Sequence, residues 1–195
     1  MIPLPFTGPG AIAFWIAFYW AFAAELPFMR RDRLTNATST DRGSMLVVLL
    51  AGGIGVFLAF LFAGALRDFA IVTGRIPLYI AGVASRVAGG WLRRHCFRML
   101  GASFTYDVRV RDGQAVVQRG AYRYVRHPSY SAGLLLFGGI GLALTNWLSL
   151  AAAIVPPAVA YAYRISVEER ALVASLGPAY ADYMKRTKRL VPLLL

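Results

Sequence analysis

Residues 43–66 read GSMLVVLLAGGIGVFLAFLFAGAL and contain no charged side chain in 24 positions. An α-helix needs about 20 apolar residues to cross the hydrocarbon core of a bilayer, so this stretch predicts a transmembrane helix. Small residues recur at every fourth position along it, at Ala51, Gly55, Ala59 and Ala63. Such a stripe lets helices pack closely in lipid. The stretch therefore predicts a membrane protein built from packed helices.

The composition of the whole chain indicates the same class. Of its 195 residues, 58% are hydrophobic and 15% are charged, and the mean hydropathy is +0.56. Soluble domains have roughly 45–50% apolar and about 25% charged residues, and a short chain has too little interior to bury such an excess. The single cysteine, Cys96, excludes a disulfide scaffold, and the high hydrophobicity excludes a disordered chain.

Other apolar stretches bring the prediction to about five transmembrane helices in an all-α integral membrane fold. Gly10–Phe28 predicts the first span rather than a signal peptide, because no basic region precedes it. Ile76–Leu92 predicts the third, with Arg86 inside it. With His127 neutral, the 37 residues of His127–Tyr163 carry no formal charge. They are long enough for two spans, which we divide at the polar break Thr145–Trp147.

The basic residues predict the orientation of these helices. The chain has 21 Lys and Arg against 9 Asp and Glu, for a formal net charge of +12. Eighteen of the basic residues fall in segments 30–42, 93–126 and 164–189, which alternate with weakly charged connections. Cytoplasmic loops are rich in Lys and Arg, so we expect a multi-pass protein with its N-terminus outside and its C-terminus in the cytoplasm. The charge then reflects topology and attraction to anionic membrane lipids rather than a nucleic-acid partner.

Two of the predicted cytoplasmic segments are long enough to form an active site. The first precedes Tyr130 and contains an alternating stretch, Phe104–Val110, followed by the turn dipeptide Asp112-Gly113. These features predict a loop or hairpin at the membrane surface after the third helix. The second begins at Arg164 and ends in a short C-terminal amphipathic helix. We expect a binding pocket between these two segments.

Familiar catalytic patterns are scarce in the sequence. Two histidines, His95 and His127, and one cysteine do not form a zinc site, so no metal is predicted. The glycine-rich runs 52–55 and 138–141 lie inside predicted membrane helices. Helix packing therefore explains them better than phosphate binding does.

Two separated motifs resemble a known family. The run GAYRYVRHPSY at residues 120–130 is similar to the signature of the isoprenylcysteine carboxyl methyltransferases, whose wider group includes membrane phospholipid methyltransferases. The resemblance continues through Glu168-Glu169, Gly177, Tyr180, Tyr183 and Arg189–Pro192. It covers about half of the chain, and its specificity lies in the order and spacing of the two motifs.

The resemblance implies an S-adenosylmethionine-dependent membrane methyltransferase. We expect one membrane domain over residues 1–195, with a two-helix part at 1–75 and the methyltransferase core at 76–195. By motif position, Arg164 would face the substrate and Glu168 would hold the cofactor, and these two are the expected catalytic residues. Besides Glu168, the implied cofactor-binding residues are Gln114, Ala115, Val116, Val117, Tyr122, His127, Pro128, Ser129 and Tyr130.

The chemistry of these side chains agrees with that role. A carboxylate at Glu168 can accept from the amino group of the cofactor, while His127 and tyrosine hydroxyls can donate to its carboxylate. A carboxylate acceptor is ionised near pH 7 and needs no general base, and an arginine such as Arg164 can orient it. An ammonium acceptor would need a base. We therefore expect a lipophilic or lipidated substrate whose carboxylate is of the prenylcysteine type.

Other interpretations of the sequence remain open. The scaffold could methylate nitrogen or sulfur of a phospholipid or small lipid, or it could be a non-catalytic membrane protein with a degenerate ligand site. Arg164 and Glu168, four residues apart, could form a simple helix pair. Arg86 could line a polar cavity, but its place near the end of the span favours a side chain that reaches the membrane surface. The oligomeric state is undetermined, as is whether Glu168 or Glu169 is the main cofactor contact.

Overall fold

The computed structural model describes residues 2–23, 41–101, 104 and 115–190. All regular secondary structure in these residues is helical. The α-helices are α1 (Gly8–Ala23), α2 (Ser44–Ala65), α3 (Arg75–Leu100), α4 (Pro128–Leu144), α5 (Trp147–Leu176) and α6 (Pro178–Arg186). The predicted all-α class is confirmed, and each of the helices α1 to α5 overlaps one of the five stretches predicted to span the membrane.

Two of these helices, α2 and α5, are long and apolar enough to cross a membrane, and α1 and α4 are shorter apolar helices. The count of five spans stays a prediction. Most of the predicted hairpin, residues 105–114, lies outside the described residues, and residues 115–118 have no regular secondary structure.

The helix boundaries follow from local sequence. Pro128 occupies the first turn of α4, where its missing N–H leaves no hydrogen bond unmade. Helix α4 ends at Leu144 and is followed by Thr145, which has a left-handed φ of 50°. Asn146 then caps α5 by accepting from the Ser149 N–H at 3.0 Å, and its side-chain amide donates to the Leu66 carbonyl at 2.9 Å. The polar break predicted at residues 145–147 is therefore the turn between α4 and α5.

Glycines allow the central helices to approach closely. A Cβ atom on Gly82 of α3 would lie 2.5 Å from the Ala143 nitrogen and 2.7 Å from the Gly139 carbonyl of α4. In α2, a Cβ atom on Gly55 would lie 2.7 Å from the Ala152 carbonyl of α5. The Gly55 contact and the burial of Ala59 and Ala63 agree with the packing role expected of the small-residue stripe in α2. A core of buried side chains lies between the helices and comprises Phe14, Ala59, Ala63, Tyr79, Ile140, Ala143, Leu144 and Ala153.

Arg86 is buried between helices rather than extended to the membrane surface. Its side chain is only 5% exposed. Its terminal nitrogens donate to the Leu136 carbonyl at 3.1 Å and the Phe18 carbonyl at 3.2 Å, and its guanidinium lies 4.6 Å from the Phe18 ring centroid. The expectation of a surface-reaching Arg86 is wrong, because backbone carbonyls of α1 and α4 accept from both of its terminal nitrogens inside the bundle.

The C-terminal segment folds back onto the chain that precedes α4. After the turn at Gly177 and the short helix α6, the carbonyls of Lys188 and Arg189 accept from the Arg126 and His127 N–H groups at 2.8 and 3.0 Å. Tyr180 and Tyr183 of α6 are both buried, as expected for one side of an amphipathic helix. This return brings the start of α4, the end of α5 and the C-terminal segment together.

Candidate active site

The candidate site lies where the start of α4 meets the second half of α5. His127 directly precedes Pro128, the first residue of α4, and Tyr130 lies within the first turn. The His127 and Tyr130 rings stack with their centroids 5.6 Å apart. Helix α5 contributes Arg164 and Glu168 from one face, since residues four apart on a helix are neighbours.

A hydrogen-bonded chain joins the predicted catalytic residues. The Tyr130 hydroxyl donates to Glu168 Oε2 at 2.7 Å and accepts from Arg164 Nε at 2.8 Å. His127 Nδ1 lies 3.7 Å from the same Glu168 oxygen. The Glu168 side chain remains 31% exposed. Tyr130 thus links Arg164 to Glu168, and the carboxylate keeps an exposed side that a ligand can reach.

Arg164 is buried and anchored to the segment before α2. One terminal nitrogen donates to Asp41 Oδ1 at 2.8 Å and to Ser44 Oγ at 3.0 Å. Both Arg164 and Asp41 are more than nine-tenths buried. The sequence motifs did not identify Asp41, because it lies 123 positions from Arg164 in an unrelated part of the chain. The simple pairing considered for Arg164 and Glu168 is thus replaced by a network that includes Tyr130 and Asp41.

The neighbouring Glu169 has a different environment. Its carboxylate accepts from Arg126 Nε at 3.0 Å and from a terminal nitrogen of Arg189 at 2.8 Å, and its Oε1 lies 3.3 Å from His127 Nε2. Both of its oxygens therefore contact cationic or polar groups of the protein, while its side chain is almost fully buried. Glu169 therefore links the C-terminal segment to α5, whereas the Glu168 carboxylate keeps an exposed side. The anchoring roles of Arg126 and Arg189 were not predicted.

Tyr122 offers a hydrogen-bond donor beside this cluster. Its carbonyl accepts from the Tyr183 hydroxyl at 2.6 Å. Its own buried hydroxyl has no partner in hydrogen-bonding geometry among the described residues, although Ser129 lies beside it. Burial raises the pKa of Tyr122 well above its usual range and that of Tyr183 to about 12. Both hydroxyls therefore stay protonated near neutral pH and can act as donors.

The remaining predicted cofactor residues divide into two groups. Pro128 is buried at the start of α4, and the Ser129 carbonyl accepts from Arg93 at 2.9 Å. In contrast, residues 115–117 make no hydrogen bond to the cluster within the part of the chain that the structure describes. Gln114 lies outside the described residues. The structure thus brings the His127–Tyr130 and Arg164–Glu168 motifs together, and a role for the 114–117 segment stays a prediction.

Known proteins share both the sequence and the fold. The phospholipid methyltransferase family matches residues 77–179. The chain is 33% identical over 113 residues to protein-S-isoprenylcysteine O-methyltransferase B of Arabidopsis thaliana, covering 57% of each chain. It is 31% identical over 108 residues to the protein-S-isoprenylcysteine O-methyltransferase of Schizosaccharomyces pombe, covering 54% of this chain and 46% of that protein. The chain therefore spans about half the length of the curated relatives it matches.

A solved structure has a similar fold. The eukaryotic intramembrane Ras methyltransferase ICMT (isoprenylcysteine carboxyl methyltransferase) superposes with a TM-score of 0.64 at 20% identity, covering 98% of this chain and 70% of that chain. This match confirms the arrangement of helices. The family match at residues 77–179 covers just over half of the sequence and includes the motifs at 120–130 and 164–169. The chain therefore belongs to the phospholipid methyltransferase family, the wider group that its two motifs resemble.

Proposed function

We propose that the protein is an S-adenosylmethionine-dependent methyltransferase that acts on a lipophilic carboxylate of the prenylcysteine type. The observation that carries this proposal is the chain of contacts from Arg164 through Tyr130 to Glu168. It places a cation suited to an anionic acceptor next to a carboxylate suited to a cationic cofactor. The curated relatives, named as protein-S-isoprenylcysteine O-methyltransferases, support the same reaction class.

The described residues fit the chemical groups of the cofactor. S-adenosylmethionine carries an amino group, a carboxylate and a sulfonium cation. The partly exposed Glu168 carboxylate can accept from the amino group, and its charge favours a nearby cation. Among the described residues, the buried Tyr122 hydroxyl has no partner in hydrogen-bonding geometry, so it can donate to a carboxylate. When bound there, the cofactor would supply an electrophilic methyl group.

The protein contributes positioning rather than acid–base chemistry. A carboxylate acceptor is already ionised near pH 7, so no residue has to remove a proton from it. The Arg164 guanidinium is buried and hydrogen-bonded, so its position is fixed. The acceptor carboxylate is then oriented by this fixed cation. Holding two reactants in line can lower the free-energy barrier of the reaction by about 7–11 kcal/mol.

We place helices α1 to α5 across the bilayer, with the N-terminus outside and the C-terminus in the cytoplasm. This topology is supported by the match between these helices and the predicted apolar stretches, and by the basic residues that flank the site. The lipophilic part of the acceptor then enters from the bilayer, while its carboxylate reaches Arg164 at the cytoplasmic helix ends. Membrane lipids and a lipidated or lipophilic substrate are the partners that this arrangement requires.

A second candidate is methylation of a phospholipid amine, which the description of the matching family favours. This reaction needs a group that takes a proton from an ammonium. His127 Nδ1 and Glu168 Oε2, 3.7 Å apart, are the nearest candidates in the cluster. However, the buried Arg164 would be an unfavourable neighbour for a cationic head group.

A methyl-transfer assay distinguishes these candidates. The purified protein in lipid nanodiscs is given cofactor with a labelled methyl group, together with N-acetyl-S-farnesylcysteine or phosphatidylethanolamine. We expect an alkali-labile methyl ester on the farnesylcysteine analogue and no label on phosphatidylethanolamine. Label on phosphatidylethanolamine alone would support the second candidate, and no transfer to either acceptor would contradict the catalytic proposal. Asp182→Asn changes an exposed carboxylate and serves as the control variant.

A further inference from the structure

We propose that Asp41, in the segment before α2, is a positioning residue that holds Arg164 for the acceptor. Asp41 lies outside residues 77–179, over which the family matches, and no sequence motif includes it. The inference rests on the proposed function, and it gives the N-terminal two-helix part a direct role in the site.

The Asp41 carboxylate is itself fixed by the first turn of α2. Its Oδ1 accepts from the Ser44 hydroxyl at 2.7 Å, and its Oδ2 accepts from the Met45 N–H at 2.9 Å. The N-terminus of a helix favours a negative charge, because unpaired N–H groups and the helix dipole point toward it. Asp41 therefore has a defined orientation before any contribution from Arg164 is considered.

This fixed carboxylate holds one side of the Arg164 guanidinium. Asp41 Oδ1 and Ser44 Oγ accept from one terminal nitrogen at 2.8 and 3.0 Å, while the Tyr130 hydroxyl accepts from Nε at 2.8 Å. A guanidinium is planar, so acceptors at two separated nitrogens determine the orientation of its plane. Since Tyr130 also donates to Glu168, Asp41 is connected to the proposed cofactor ligand through two side chains.

Joining α2 to α5 does not require this ion pair. A Cβ atom on Gly55 of α2 would clash with the Ala152 carbonyl of α5, so the two backbones are already in close contact. The Ser149 hydroxyl of α5 also donates to the Ala59 carbonyl of α2 at 2.7 Å. Burying a charged pair is a costly way to join helices that already pack closely. A role in orienting Arg164 accounts for the pair better than packing does.

Steady-state kinetics of Asp41→Asn tests this role. The variant keeps the shape of the side chain and removes the negative charge. We expect kcat/KM for N-acetyl-S-farnesylcysteine to fall at least tenfold, mainly through KM, while the Kd for S-adenosylmethionine changes by less than threefold. Asp41→Glu should recover part of the loss, and Asp182→Asn should behave like the wild type. A kcat/KM for Asp41→Asn within twofold of the wild-type value would overturn the inference.

A nuclear magnetic resonance measurement tests the positioning without any activity. In ¹⁵N-labelled protein, the Arg164 Nε–H signal is assigned by its loss in Arg164→Lys. We expect Asp41→Asn to shift or broaden this signal and Asp182→Asn to leave it unchanged, whereas an unchanged signal in Asp41→Asn would overturn the inference. If Asp41→Asn does not fold, Ser44→Ala should shift the same signal to a smaller extent, and no shift would count against the role of Asp41. If the wild type neither binds cofactor nor transfers methyl, the proposed function is overturned. The positioning of Arg164 by Asp41 is then still tested by the Arg164 Nε–H signal, which does not depend on activity.

Discussion

Tyr130 of α4 and Glu168 of α5 are joined by a 2.7 Å hydrogen bond from the tyrosine hydroxyl to Oε2 of the carboxylate. The Tyr130 ring is packed between aromatic neighbours, with its centroid 5.6 Å from that of His127 and 4.9 Å from that of Tyr161. Its hydroxyl is therefore held in place while it orients Glu168. This bond joins two residues that are 38 positions apart and so connects the two sequence motifs into one site.

Tyr130→Phe tests this connection. The change keeps the ring but removes the oxygen that accepts from Arg164 Nε and donates to Glu168. Leaving the buried Nε–H without an acceptor should lower the free energy of unfolding by about 1–3 kcal/mol. Loss of the orienting bond should weaken cofactor binding about tenfold, equivalent to about 1.4 kcal/mol. Denaturant unfolding and calorimetric titration measure the two effects.

The matched control for this variant is Tyr124→Phe. Tyr124 is largely exposed, so the same chemical change there should leave the stability and the cofactor affinity near their wild-type values. If Tyr130→Phe and Tyr124→Phe gave equal results in both measurements, the role assigned to the Tyr130 hydroxyl would be wrong.

Glu169→Gln is expected to damage the fold more than it alters ligand chemistry. It leaves the buried Arg126 without its carboxylate partner, and breaking a buried ion pair by removing one member costs about 3–5 kcal/mol. The C-terminal segment, which Arg189 ties to Glu169, should then become susceptible to proteolysis. Thermal unfolding and limited proteolysis followed by mass spectrometry provide the measurements.

Arg189→Ala provides the comparison. The Arg189 side chain is 55% exposed, so its loss should cost only about 0–1 kcal/mol, as for a surface ion pair. A larger loss of stability in Arg189→Ala than in Glu169→Gln would contradict the assignment of the main anchor to the buried pair of Glu169 and Arg126.

Gly82→Ala tests the close approach of α3 and α4. The added methyl group would lie 2.5 Å from the Ala143 nitrogen and 2.7 Å from the Gly139 carbonyl. Backbone atoms cannot move aside like a flexible side chain, so overpacking should cost about 1–3 kcal/mol. Gly53→Ala in α2 is the control, because a Cβ atom there would have no neighbour within 4 Å. Equal melting temperatures for the two variants in the same detergent would contradict this packing.

The helices were predictable because long apolar stretches without charge are distinctive in a sequence. The stretch predicted at residues 43–66 corresponds to α2 at Ser44–Ala65, and the polar break at 145–147 is the turn that separates α4 from α5. The residues of the two motifs were also identified, since their order and spacing are specific. His127, Tyr130, Arg164 and Glu168 lie in one cluster, as expected.

The pairing of charges could not be predicted in the same way. Hydropathy shows that Arg86 is inside an apolar helix, but it does not show that the carbonyls of Phe18 and Leu136 accept from its terminal nitrogens. Likewise, nothing in the local sequence relates Asp41 to Arg164, because the contact depends on how α2 packs against α5. The different roles of Glu168 and Glu169 also arise only from folding, since adjacent residues on a helix point in different directions.

Calorimetric titration of S-adenosylmethionine into the detergent-purified protein tests the proposed function most directly. We expect the wild type to bind the cofactor, and Glu168→Ala and His127→Ala to bind it at least tenfold more weakly, a loss of about 1.4 kcal/mol or more. Asp182→Asn should match the wild type, since it alters an exposed carboxylate of α6. Absence of binding by the folded wild type would contradict the methyltransferase proposal, and unchanged binding in both Glu168→Ala and His127→Ala would contradict the site.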